Sequence, residues 1–142
     1  MRRTVFIAAS LAVTSSVALA LTLHGHWMGT ITGKDGAATT GMAMMMAGKD
    51  AATTEVTVQL KGETASVVRP WHIHTGSCAK GGGVFGGGKS YTPITIDDKG
   101  NGSSKATLAV ALPDSGSYYV NIHESGTNMG KIVACGDLAK GE

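Results

Sequence analysis

Any chemistry in this chain would turn on histidine, and the sequence holds five of them. Two stand one residue apart in His72-Ile73-His74. Successive side chains of an extended strand point to opposite faces, so both imidazoles fall on one face and Ile73 on the other. At that spacing the rings can share a metal ion, and imidazole suits copper, zinc, iron and nickel. His123 has a matching context, because Val120 and Ile122 alternate with Asn121 and His123. If Ile73 and Ile122 point into a core, then His72, His74 and His123 all point away from it. They converge if their two strands are neighbours. Taken alone, one HxH pair is most simply two solvated surface histidines; the third histidine gives the pattern its weight.

Other groups add to this set. His24-Gly25-His26 is a second HxH pair. One of these histidines could supply a fourth ligand, against the plainer reading of a solvated tail. Met42, Met44, Met45 and Met46 carry thioether sulfur, a soft ligand suited to copper(I). The plainer expectation is that methionine fills gaps in the core, with the three even-numbered residues sharing one strand face. Trp27, Trp71, Tyr118 and Tyr119 are read as packing residues. Glu124 alternates away from His123 and is given no direct role. No Ser/His/Asp set and no paired-carboxylate site stands out, so no residue is assigned a catalytic role.

The elements that must position these histidines are strands. The chain is rich in Gly, Thr and Val, and apolar residues recur with a period of two. Strands are predicted around Thr30–Thr32, at Gly41–Ala47, Val56–Leu60, Trp71–Thr75, Thr92–Ile96, Ala106–Leu112, Tyr118–His123 and Ile132–Cys135. Turn signals separate them, among them Gly48-Lys49-Asp50 and Pro113-Asp114-Ser115-Gly116. About eight short strands at this spacing predict an all-β, antiparallel Greek-key sandwich or barrel. Residues 81–88, Gly-Gly-Gly-Val-Phe-Gly-Gly-Gly, are too glycine-rich for a strand interior. They read as a flexible surface loop. A phosphate-cradling loop would need a helix after it, and none is predicted.

Arg2 and Arg3, the apolar run Val5–Val17 and Ala18-Leu19-Ala20 have the form of a secretory signal peptide with an A-x-A cleavage site. Residues 1–20 are therefore expected to be removed and residues 21–142 to form one domain. The product would be periplasmic or secreted, with no membrane attachment. Cleavage leaves ten basic and ten acidic residues, a balance that argues against nucleic acid as a partner. In such a compartment Cys78 and Cys135 are read first as a disulfide, with free thiols or thiolate ligands as the alternative.

The segments His72-Ile73-His74-Thr75-Gly76-Ser77-Cys78, Ile122-His123-Glu124 and Ala134-Cys135-Gly136-Asp137 resemble the copper/zinc superoxide dismutase domain. The chain also resembles, more loosely, the chordin-type domain of bacterial exported proteins. The first resemblance covers about Trp71 to Leu138. It implies a superoxide dismutase-like Greek-key fold, with His72, His74 and His123 as copper ligands and Cys78–Cys135 as the disulfide. Gly130 would match the glycine of the loop after the last copper ligand. The departures are specific. No histidine lies between His74 and His123, so the bridging ligand and the zinc site are expected to be absent. Thr127 stands where the family has an Asp linking its two metals. Ile132 stands where it has an anion-guiding Arg, with Lys131 beside it. The partner expected is superoxide or a copper ion. The resulting readings are a dismutase at a mononuclear copper centre, a non-catalytic copper buffer, and a structural β-domain with vestigial histidines. The oligomeric state is left open.

Overall fold

The computed structural model describes residues 25–141. The expected signal segment 1–20 and His24 lie outside the described residues. The strands are β1 (His26–Gly33), β2 (Thr40–Ala47), β3 (Thr54–Lys61), β4 (Val68–Arg69), β5 (Trp71–Thr75), β6 (Ile94–Thr95), β7 (Gly102–Leu108), β8 (Tyr118–Ser125) and β9 (Asn128–Gly141). A single 3-10 turn, Gly88–Ser90, lies between β5 and β6. All strand pairs are antiparallel. Seven strands form one sheet in the order β5-β8-β9-β1-β2-β3-β7, and β4 pairs with β6 separately. Strands β1, β2 and β3 form a meander, and β9 returns beside β1, which is the Greek-key order. The all-β expectation holds.

Alternation decides which face is inside. Trp27, Ile31, Met45, Val56, Val58, Leu60, Ile73, Val120 and Ile122 all belong to one buried cluster. Seven strands can share one cluster only if the sheet curls around it, as in a barrel or sandwich. Gly29 permits a close approach in that curl. A Cβ there would sit 2.1 Å from the Asp137 carbonyl oxygen, where the ladder between β1 and β9 is interrupted.

Several elements differ from the sequence expectation: β1 runs His26–Gly33 rather than around Thr30–Thr32, β4 has no counterpart among the predicted strands, and three others change their bounds. The strand expected at Ala106–Leu112 is β7, which runs Gly102–Leu108, because the register with β3 ends at the pair Thr54–Leu108. The strand expected at Thr92–Ile96 shrinks to the two residues of β6. Strand β9 is far longer than Ile132–Cys135, because it serves β8 on one side and β1 on the other. The methionines also divide differently. Met45 is fully buried, whereas Met42, Met44 and Met46 lie on the outer face, with Met42 46% exposed. The core-filling expectation for the even-numbered three is therefore corrected: alternation gives the inward places on β2 to Ala43 and Met45.

Candidate metal centre

Strand β5 pairs with β8, placing His72 opposite Asn121 and His74 opposite Tyr119. His123 follows Asn121 on the same face of β8, diagonal to His72. The apolar partners Trp71, Ile73 and Ile122 fill the inner face, each no more than 1% exposed. The three histidines therefore face away from the core, as the alternation predicts, and adjacency of β5 and β8 brings them together. One ring nitrogen from each lies within 4.8 Å of the others.

The hydrogen bonds decide which nitrogens converge. His123 Nδ1 lies 2.6 Å from the Met129 carbonyl oxygen, and His74 Nδ1 lies 3.0 Å from that of Gly82. A carbonyl only accepts, so each of these Nδ1 atoms carries the proton and donates it. Nε2 of His123 and of His74 is then left with its lone pair free. His123 Nε2 faces His72 Nδ1 at 3.1 Å. His74 Nε2 is buried with no hydrogen-bond partner. On the far side of its ring, His72 Nε2 lies beside Gly88, where a Cβ would come within 3.4 Å of it. Backbone carbonyls that hold one nitrogen of an imidazole and leave the other free are the usual outer support of a metal-ligating histidine.

Burial favours the neutral form of two of the three rings. Burial lowers the His72 pKa to about 4, with His123 and His74 adding to the effect and the Gly88 hydrogen bond opposing it. Burial also pulls His123 below its usual value, against the Met129 hydrogen bond. Neutral imidazole is the ligating form. Tyr91 packs edge-on to His72 at 5.0 Å, and Tyr119 stacks on His74 at 5.0 Å. Burial raises the Tyr91 phenol strongly, and its hydroxyl donates to the Phe85 carbonyl at 2.8 Å.

The glycine-rich segment is not the free surface loop that its composition predicts. It lies along the outer edge of β5: Thr75 N–H donates to Gly83 and Phe85 N–H to Ile73, with a bridge between His74 and Val84. It supplies the Gly82 carbonyl and the Gly88 backbone contact. Glycine is required at 82, where a Cβ would lie 1.6 Å from the Thr75 carbonyl oxygen. This cover leaves His74 8% exposed although it faces outward, and His123, held against Met129 and Pro70, is 5% exposed.

A second clamp lies beside the histidines. Arg69 donates to Glu63 Oε2 at 2.8 and 2.9 Å and to the Glu124 carbonyl at 2.6 Å. His123 N–H donates to the Pro70 carbonyl at 2.9 Å. The residues just before His72 and just after His123 are thus tied to each other. The disulfide Cys78–Cys135 forms with a Cα separation of 6.1 Å, and Asp137 accepts from the Cys78 N–H at 2.7 Å. It anchors the chain three residues after β5 to β9, across β8.

Several expected site residues sit elsewhere. His26 pairs with Met46 and Gly141, at the opposite end of β9 from the partner of His123. About nine residues of strand put it roughly 30 Å away, so it cannot be a fourth ligand. Strands β8 and β9 join through the two-residue hairpin Gly126-Thr127. The long loop that the dismutase resemblance implies after His123 has no counterpart, and Gly130 lies within β9. Lys131 is ion-paired with Glu124. Tyr91, Arg69 and the carbonyls of Gly82 and Met129 were not legible as site components, because backbone carbonyls carry no sequence signature.

Fold and site together define an all-β domain with a cluster of three imidazoles on the outer face of two adjacent strands. The CHRD domain model matches residues 28–133, and the chain belongs to the CHRD domain family. The match runs from β1 into β9 and takes in all three histidines. It supports the chordin-type resemblance rather than the superoxide dismutase one. No curated protein sequence matches the chain.

Proposed function

We propose that this CHRD domain is an exported, non-catalytic β-domain that holds one transition-metal ion, copper, through His72 Nδ1, His74 Nε2 and His123 Nε2. The observation that carries the reading is His74 Nε2, a buried nitrogen with no hydrogen-bond partner, in a cluster where one ring nitrogen of each histidine lies within 4.8 Å of the others. A buried polar atom without a partner costs about 1–3 kcal/mol, and a bound cation would remove that cost. Imidazole accommodates copper well, and copper heads the affinity order for divalent first-row ions at such sites. Because burial holds His72 and His123 below their usual pKa, neither of these two rings needs to shed a proton to bind.

Binding is favoured over turnover because the features that would guide and protonate an anion are missing among the described residues. No fourth histidine stands with the three. Lys131 spends its charge on Glu124, and Arg69 spends its charge on Glu63. Export accounts for the disulfide, which an oxidising compartment sustains.

The test is competition titration of the purified protein with copper(II) and zinc(II), beside a His72→Ala, His74→Ala variant. Superoxide turnover is assayed on the same copper-loaded sample. One tight equivalent of copper, lost in the variant and inert toward superoxide, is the expected result. Tight zinc with weak copper would reassign the metal. Turnover would restore the dismutase reading. No metal at all would leave a structural β-domain.

A further inference from the structure

The outer face of β1 and β2 carries a second set of metal-binding atoms. His26 pairs directly with Met46, and Met28 with Met44. Alternation puts all four side chains on one face, opposite buried Trp27 and Met45. Directly opposed residues of an antiparallel pair have Cβ atoms about 4.5–5.5 Å apart, within reach of flexible thioether chains. The same four residues line one open groove of about 810 Å³. Its charged rim is partly engaged, because Lys140 donates to the Asp114 carbonyl at 2.5 Å. The His26 ring lies over Gly141 of β9, where a Cβ would approach Nε2 to 2.3 Å, so glycine at 141 is what leaves space for it on this face.

Met28 is 40% exposed and Met44 and Met46 are half-buried, and methionine on an outer sheet face gains less from packing than in the core while losing side-chain entropy when ordered. Three thioethers beside one imidazole on a solvent-facing groove therefore call for a reason other than the core. Thioether sulfur is a soft ligand that favours copper(I) over the hard divalent ions. We infer that Met28, Met44 and Met46, with His26 beside them, form a second site for a soft monovalent cation, copper(I). This site is independent of the histidine cluster at the other end of β9.

The test uses silver(I), a redox-inert probe for copper(I), in chloride-free buffer. The background is the His72→Ala, His74→Ala variant, so that the other cluster does not compete. One equivalent should bind, and Met28→Leu, Met44→Leu, Met46→Leu in the same background should weaken it by about tenfold or more. His26→Ala should weaken it less. All these side chains lie on the outer face, so the leucine variant should keep its fold and thermal midpoint. With methionine methyls labelled for NMR, silver should shift Met28, Met44 and Met46 and leave fully buried Met45 unmoved. Unchanged affinity in the leucine variant would overturn the site, as would absence of binding in the background variant. Either result leaves the reading of the histidine cluster standing, because that cluster is tested with copper(II) in the unmodified protein.

Discussion

His72 Nδ1 lies 3.1 Å from His123 Nε2, although 51 residues separate the two in sequence. The contact exists because β5 and β8 are hydrogen-bonded neighbours and because carbonyls of Met129 and Gly82 fix the rings around it. In the absence of metal this arrangement is a liability in acid, since a proton on either ring would be buried next to a second imidazole.

The metal-free protein should therefore lose stability as pH falls. An unfolded histidine takes up its proton near pH 6.5, whereas His72 in the fold resists until about pH 4. Between these values the unfolded state holds more protons, so lowering the pH favours unfolding. Chemical denaturation in the presence of a chelator should give stability that is flat above pH 6.5 and falls from there toward pH 4. His72→Gln should flatten that fall. A variant with the slope of the parent would show that His72 is not its source.

Gly82→Ala should disturb the centre without touching a ligand. The new methyl would meet the Thr75 carbonyl at 1.6 Å, so the segment must move off β5 and withdraw the carbonyl that fixes His74. Copper affinity should fall by about 10–100-fold, the range seen when an outer support of a ligand is lost. Isothermal titration of Gly82→Ala beside Gly83→Ala is the check, because position 83 has open space. Equal affinities in the two variants would remove Gly82 from the site.

Arg69→Met should cost about 3–5 kcal/mol, the usual penalty for leaving one member of a buried ion pair alone. Glu63 has a side chain only 2% exposed and would retain Thr39 as its remaining partner. The additional substitution Glu63→Gln should recover part of the loss by removing the stranded charge. Urea denaturation of the single and double variants measures both. A single variant as stable as the parent would mean that water reaches Glu63.

How much of this was legible in the sequence varies residue by residue. Strand β5 was read with its true ends, because Trp71, Ile73 and the alternating histidines give an unbroken period of two. The three clustered histidines stand out for the same reason. The role of residues 81–90 was not found, because glycine carries no side-chain pattern, and its contribution here is made by backbone atoms. The outward turn of Met44 and Met46 was also missed. A run of adjacent methionines is apolar on both faces, and only the register with β1 and β3 shows which one is buried.

Reducing the Cys78–Cys135 link should lower the thermal midpoint and weaken copper binding together. The chain-entropy model credits a loop of this length, with a separation of 57 residues, with roughly 4 kcal/mol. The bridge also anchors Cys78, four residues after His74, to β9. Calorimetry and copper titration of a Cys78→Ala, Cys135→Ala variant test this. An unchanged midpoint with unchanged affinity would show that strand pairing alone holds the site.

The sequence by itself determined what depends on local periodicity: the strands, the inward and outward faces of β5 and β8, and the three histidines able to bind a metal. Alternation is a property of the extended backbone, so no partner is needed to read it. The tertiary structure alone decided what depends on neighbours. It made β5 and β8 adjacent, sent His26 to the far end of β9, and laid the glycine-rich segment over the histidines. It also assigned His74 and His123 the nitrogen that stays free. These outcomes rest on backbone hydrogen bonds between segments far apart in the chain, and every residue offers the same donor and acceptor for such bonds.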